Sequence, residues 1–403
     1  MCESFLLKAQ SDEVVIGRTM EFPPLKLKLP HEEALGVNWF SCHVPAGTEF
    51  HSYISKQSSG IGYAWKNIYN FIGLTALNEA EGILLGERLN PSKPVVRGTF
   101  CSEGINDQGM SVSVLTYDAN MQWPTAKGGG FDILFILLAD YMLGMYDTVK
   151  SLKAGFQTNK INPFGLTGEN AVINQPAHFI VHDKSGDCLI IEVDSAGPKL
   201  YDADYIKTHN FNLFAKALNG PMFGLLTNAP SLDWHYNHFR QYLHLNPHDP
   251  TLQPEGAKIG HMTQTSHGSG MIGLPGDYTS PSRFVRLANL LRYTPQPATV
   301  SDAIALANHM LNTATIIEGL VMEDTSSSLL PKNDITQWVT IKQLSGGSPK
   351  MYCRTYYAFP IGQGNMYQEF TFQNFPAKLR YAPIEHWAPT IKKRKKNHNT
   401  PSK

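Results

Sequence analysis

The sequence contains no apolar run of 18–20 residues, the length a helix needs to cross a bilayer. Its most apolar stretch, 133–139, is short and lies within an amphipathic pattern. No CxxC pair occurs. The five cysteines (Cys2, Cys42, Cys101, Cys188, Cys353) are odd in number and widely scattered, which speaks against a disulfide framework and against a zinc site. The fifteen histidines include no HExxH arrangement, so no metal is expected. A GxGxxG match at Gly268-Ser269-Gly270-Met271-Ile272-Gly273 follows no apolar strand and opens no helix, so it is read as a loop and no cofactor is expected. There is no excess of either charge: 34 basic residues face 34 acidic ones, which removes any global attraction to nucleic acid. Cys2-Glu3-Ser4 lacks the charged and apolar regions of a signal peptide, and the chain is read as cytoplasmic.

What is present is a globular composition. The 403 residues are 42% hydrophobic and 17% charged, ample for a large core. The charge neutrality conceals a basic tail. Residues 391–403 hold Lys392, Lys393, Arg394, Lys395, Lys396 and Lys403 and no acid. Taking these six away leaves 28 basic against 34 acidic residues, a net charge of about −6 on the rest. A single catalytic domain is expected over 1–390, followed by a solvated, disordered tail over 391–403.

Strand signals dominate the start. Segments 5–9 and 13–16 predict a hairpin around Gln10-Ser11-Asp12. Residues 22–60 read as a long loop with short strands, and 62–65 and 69–75 as strands. Asn106-Asp107-Gln108-Gly109 is a turn, and the alternation over 110–115 predicts a half-buried strand. A helical region spans 131–153, broken near Gly144 and restarted at Asp147 or Thr148. A second hairpin is predicted at 178–182 and 188–193, and a strand at 224–228. Helices are predicted over 233–242, 282–291 and 301–311, the last with a Ser N-cap. Strands follow at 338–343 and 350–358. The order is strands, helices, strands, without regular βαβ alternation. It predicts an α+β layered domain rather than a doubly wound sheet.

The N-terminus carries the most distinctive chemistry. Cysteine directly after the initiator methionine becomes the terminal residue once Met1 is removed. One residue would then hold both a thiol, titrating near about 8.5, and an α-amine, near about 7.7–8.0. The thiolate is the strong nucleophile and the amine is a base poised near neutral pH. An N-terminal amine that activates its own side chain is an established route to nucleophilic catalysis. Arg18 and Glu21 lie just past a strand that could return beside this terminus. Taken singly, Arg18 and Glu21 each have an ordinary explanation as surface, ion-paired or solvated residues, and it is their placement just past that strand that raises Cys2 above a chance Met-Cys start.

These pieces together resemble the choloylglycine hydrolase family, which includes bile salt hydrolases and penicillin V acylases. The residues that carry the resemblance are Met1-Cys2, Gly17-Arg18-Thr19-Met20-Glu21, Asn106-Asp107-Gln108-Gly109-Met110, Leu226-Thr227-Asn228-Ala229-Pro230 and the run from Leu274 through Arg283 to Phe284. Tyr352-Cys353-Arg354-Thr355-Tyr356 looks like the family's late strand. The match follows the family's order over about residues 1–360. The resemblance implies a four-layer αββα N-terminal-nucleophile fold, two stacked antiparallel sheets between helices.

The resemblance also implies roles. Cys2 matches the nucleophile and Arg18 the arginine beside its sulfur. Glu21 stands where the family usually has aspartate to orient the α-amine. Asn228 matches the oxyanion-hole amide. Thr116 falls where a second, backbone donor is supplied. Arg283 matches a second active-site arginine. Met20, Phe22 and Phe131 are candidate pocket residues for an apolar acyl group, with core packing as the alternative. The implied activity is hydrolysis of a non-peptide linear amide, with conjugated bile salts favoured slightly over penicillin V or an acyl-homoserine lactone. A non-catalytic binding relative is the alternative of another class, motivated by the Glu21 and Thr116 departures and the basic tail. A homo-oligomer, a tetramer by resemblance, is expected.

Overall fold

The chain opens as an antiparallel pair. Strand Cys2–Lys8 lies along strand Val14–Phe22, with Cys2 opposite Met20, Ser4 opposite Arg18 and Lys8 opposite Val14. The expected turn closes it. Asp12 adopts a left-handed backbone (φ +70°), which aspartate tolerates, and its N–H donates to the Ala9 carbonyl. The computed structural model describes residues 2–22, 26–27, 35–36, 39–52, 63–77, 96–117, 122–127, 131–167, 174–209, 224–248, 270–322, 333–355 and 367–384. The basic segment 391–403 and most of 78–100 lie outside the described residues, as do Gly268 and Ser269 of the glycine-rich loop.

The hairpin joins strands from the far end of the chain. Asn333–Gln343 pairs with Val14–Phe22, then Lys350–Thr355 and Gln368–Thr371 continue the sheet. Val321–Met322 adds a short sixth strand. A second, eight-stranded sheet has the order Gly197–Tyr201, Cys188–Asp194, Ala177–His182, Ser111–Thr116, Glu103–Asn106, Phe71–Thr75, Phe40–Val44 and Arg380–Pro383.

Both faces of both sheets are covered. On the outer face of the six-stranded sheet, Phe5 and Val15 join Phe284, Leu287, Ala307 and Met310 of helices Ser280–Tyr293 and Val300–Ala314 in one core. On the outer face of the eight-stranded sheet, Val112, Phe179 and Leu189 join Leu138, Met142, Leu152 and Phe156 of helices Leu138–Met145 and Val149–Gln157. The result is the layered α–β–β–α order. Residues alternate between the two sides of a strand, so each core strand is buried on both.

Several local expectations are corrected. The apolar run at 131–137 begins not as helix but as strand Asp132–Leu134, paired in parallel with Asn162–Phe164. A buried strand and a buried helix segment look alike when every residue is apolar. The break near Gly144 is real: the first helix ends at Met145, and Thr148 caps the next in a capping box with Ser151. Thr299, not a serine, caps the helix Val300–Ala314, with Asp302 completing the box. Segment 224–228 is not a strand of either sheet. It contributes one isolated bridge, Leu226 to Ser4.

Candidate active site around Cys2

That isolated bridge decides the geometry of the site. Ser4 and Leu226 exchange both backbone hydrogen bonds, at 2.8 and 2.9 Å. Antiparallel pairing at this point sets residue 228 beside residue 2. The Cys2 N–H donates to Asn228 Oδ1 at 2.6 Å. Arg283 Nη2 donates to the same oxygen at 2.7 Å, and Arg283 Nη1 donates to the Cys2 carbonyl at 3.0 Å. Two donors converge on one side-chain atom of Asn228, which must therefore be its oxygen. Its amide nitrogen faces the other way and donates to the Thr116 carbonyl at 2.8 Å.

The backbone of Asn228 is fixed as well. Its carbonyl accepts from Ser280 Oγ at 2.9 Å and lies 2.8 Å from His235 Nε2. Burial pulls His235 down to about 4, so the ring is neutral at physiological pH and offers an N–H. Ser231 caps the helix that carries His235, and Thr279 caps the helix that carries Arg283. Arg283 sits in the first turn of its helix, where the dipole disfavours a cation. The buried carboxylate of Glu3 compensates by pairing with Arg283 Nη1, and Glu3 also accepts from Thr19 Oγ1.

On the inner face of the sheet, the Cys2 sulfur lies 3.6 Å from Met20 Sδ and 3.8 Å from Arg18 Nη2. The register explains this, because Met20 is the direct partner of Cys2 and Arg18 the next residue along that face. The guanidinium of Arg18 is fully buried, 4.7 Å from the Trp338 ring centre. It donates to the Val114 carbonyl and lies 3.1 Å from Glu103 Oε2 of the facing sheet.

Glu21 points toward the outer, helical side with Glu3. Its carboxyl accepts from Thr336 Oγ1 at 2.8 Å. Burial, reinforced by the neighbouring Glu3 charge and opposed by Arg283, pushes it up to about 8.

The structure thus gathers Cys2, Arg18, Asn228, Arg283, Met20 and the backbone of Thr116 into one connected group, with Glu21 beside Glu3 on its outer side. Phe22 ends its strand opposite Ile335, and its side chain lies outside the described residues. Phe131 is 37% exposed and packs on Tyr63 at 5.5 Å. Sequence reasoning missed Glu3, Glu103, Lys342 and Trp338. Glu103 and Lys342 lie in strands of mixed polarity, Glu103–Asn106 and Asn333–Gln343, where a single charged residue gives no local signal.

Comparison with known proteins bears on the family of the chain. Residues 94–371 match the description "Linear amide C-N hydrolases, choloylglycine hydrolase family". The matched stretch contains Glu103, Thr116, Asn228, Arg283 and Lys342, whereas Cys2, Arg18 and Glu21 precede it. The chain is 24% identical over 254 residues to a bile salt hydrolase/transferase of Clostridium perfringens, covering 61% of this chain and 67% of that protein. Across this and two further curated relatives, it spans from about half to two thirds of their length. Among solved structures, a variant of the conjugated bile acid hydrolase of Clostridium perfringens has a TM-score of 0.65 at 16% identity, covering 96% of this chain and 97% of that one. Penicillin V acylase of Agrobacterium tumefaciens has a TM-score of 0.58 at 15% identity, covering 88% of this chain and 83% of that one. These two share the layered α–β–β–α fold of this chain. The family match covers well over half of the sequence, and this chain belongs to the choloylglycine hydrolase family of linear amide C–N hydrolases.

Proposed function

We propose that this chain, once Met1 is removed, hydrolyses a non-peptide linear amide with Cys2 as nucleophile, and that glycine- and taurine-conjugated bile salts are its substrate class. One observation carries the assignment: the nitrogen, carbonyl oxygen and sulfur of Cys2 lie beside Asn228, Arg283 and Arg18 respectively. The similarity to proteins named as bile salt hydrolases supports the choice of substrate.

The Cys2 amine takes the thiol proton. The sulfur then bonds to the amide carbonyl carbon, and the carbonyl electron pair moves onto oxygen. Arg18 favours the thiolate as a fixed cation. Asn228 Nδ2 has two hydrogens, one engaged by the Thr116 carbonyl, and the other serves the developing oxyanion with the Thr116 N–H. Collapse breaks the C–N bond as the ammonium protonates the leaving nitrogen. A free amine departs and a thioester remains. Water adds to the thioester, the amine accepts its proton, and cleavage of the C–S bond releases the carboxylic acid and restores the thiol. Arg283 holds the Asn228 side chain, whose oxygen in turn holds the Cys2 nitrogen in place. Met20 lines the acyl side. No step calls for a metal or cofactor.

The test is amine release from glyco- and tauro-conjugated bile salts, penicillin V and acyl-homoserine lactones, by the parent and by Cys2→Ala. Release from the bile salts by the parent alone is the expected result. Release from penicillin V or the lactones instead moves the substrate class and keeps the nucleophile. Persistent turnover by Cys2→Ala would falsify the assignment of Cys2. No turnover of any amide by a protein shown to begin at Cys2 favours a binding role on the same scaffold.

A further inference from the structure

The space between the two sheets holds a buried charge group that the proposed reaction does not use. Lys342 and Thr340 lie on the strand Asn333–Gln343, on the same face as Arg18 because Thr340 is its cross-strand partner. Across the gap stand Glu103 and Ser113, which are partners in the facing sheet. The Glu103 carboxylate bridges the sheets. It lies 3.1 Å from Arg18 Nη1, pairs with Lys342 Nζ and accepts from Thr340 Oγ1 at 3.1 Å. Lys342 Nζ also reaches Ser113 Oγ at 3.1 Å. Arg18, Glu103 and Lys342 are all fully buried.

Burying three charges is costly unless each is paired. A hydrophobic filling would be cheaper, so their presence calls for a purpose other than stability. Arg18 has its two terminal nitrogens split, one to Glu103 and one to the Val114 carbonyl and Cys2 sulfur. Glu103 fixes the guanidinium from behind and would by itself cancel its charge. Lys342 on the other side of Glu103 restores a net charge of one cation facing the sulfur.

We propose that Glu103 and Lys342 are positioning residues for Arg18 and together set how cationic the surroundings of the Cys2 sulfur are. Cys353, the cross-strand partner of Thr340, shares this inner face, and burial and the Glu103 charge push its thiol up; the other charged and titratable groups are placed differently. Glu3, Glu21 and Arg283 lie on the outer side of the sheet and neighbour one another. His235 touches the site only through the Asn228 carbonyl and is neutral. His182, on the facing sheet, is held neutral by burial and by the Lys342 charge. Burial draws Lys342 below its ordinary range while Glu103 opposes this, and a Glu103 carboxylate and Ser113 hydroxyl together suit an ammonium.

The inference takes its meaning from the assignment of Cys2 as nucleophile, but its readout does not need turnover. The readout is the pH midpoint of ultraviolet thiolate absorbance, taken as the difference between each protein and its Cys2→Ala counterpart. Burial pushes the other four cysteines above the ordinary thiol range, Cys42 to about 12. Glu103→Gln leaves two cations behind the sulfur, and the midpoint is expected to fall by roughly 1 pH unit. Lys342→Met leaves a neutral pair, and the midpoint is expected to rise by roughly as much. Lys342→Arg and the double variant Glu103→Gln/Lys342→Met are expected to stay near the parent. Shifts of the same sign in the two single variants, or none in a variant that melts like the parent, overturn the proposal. Each variant is read by itself, so one that does not fold leaves the others to decide. Failure of the hydrolase assignment would appear separately, as turnover without Cys2.

Discussion

Asn228 does more at this site than its place in a short Asn-Ala-Pro stretch suggests. Its side-chain oxygen collects Cys2 and Arg283, its nitrogen reaches Thr116, and its carbonyl is held by Ser280 and His235. Asn228→Ala removes the proposed oxyanion donor. It is expected to lower kcat by about 10²–10³ with a smaller effect on KM, measured by steady-state amine release. Asn228→Asp should not rescue it, because a carboxylate repels the developing oxyanion. Cys2, Arg18, Asn228 and Arg283 were legible in the sequence because each belongs to a motif in a recognisable order. Glu103 and Lys342 were not, since each is a single charged residue in a strand. Their meaning depends on which strands face one another, which no local pattern encodes. Phe131 was read as a pocket residue from its neighbourhood in the sequence, and in the fold it packs on Tyr63.

At the scale of elements, the first hairpin is where packing and function meet. Gly17 lies opposite Phe5, and a methyl group there would come within 2.6 Å of the Phe5 ring. That ring belongs to the core under the helices. Gly17→Ala must therefore displace the Phe5 ring within that core. Overpacking of this kind costs about 1–3 kcal/mol, to be read by urea denaturation, and here turnover should fall with stability. A cap far from the site should separate the two effects. Thr299→Ala removes the N-cap of helix Val300–Ala314 and should cost about 1 kcal/mol while kcat stays at the parental value. The elements themselves were mostly readable. Strict alternation revealed 110–115, and turn residues bounded the hairpin 178–193. The segment 131–137 was misread because uniform burial erases the period that distinguishes strand from helix. The bridge Leu226–Ser4 was read as a strand because its local signal is strand-like, although its pairing is confined to one position.

At the scale of the whole molecule, the two sheets meet through polar side chains as well as apolar ones, and the far side of the eight-stranded sheet has its own buried acid. Asp140, in the first turn of helix Leu138–Met145, accepts from the Thr99 and Cys101 backbone N–H groups, yet burial pushes it up to about 7. An unfolded aspartate releases its proton near about pH 3.9. Between these values the folded chain holds the extra proton, so stability falls as pH rises through the window and levels off above about 7. Asp140→Asn should flatten that slope, as read by denaturation at pH 5 and at about pH 7. The layered α+β order followed from the sequence of elements, while the six-stranded sheet did not, because it joins residues 2–22 to residues 333–355 across the length of the chain. The most direct measurement of the central claim is intact mass after acid quench during turnover of a conjugated bile salt. The expected spectrum shows a chain beginning at Cys2 and, on that residue, a transient acyl adduct. Full turnover by a chain that keeps Met1, or an adduct on any other residue, contradicts it.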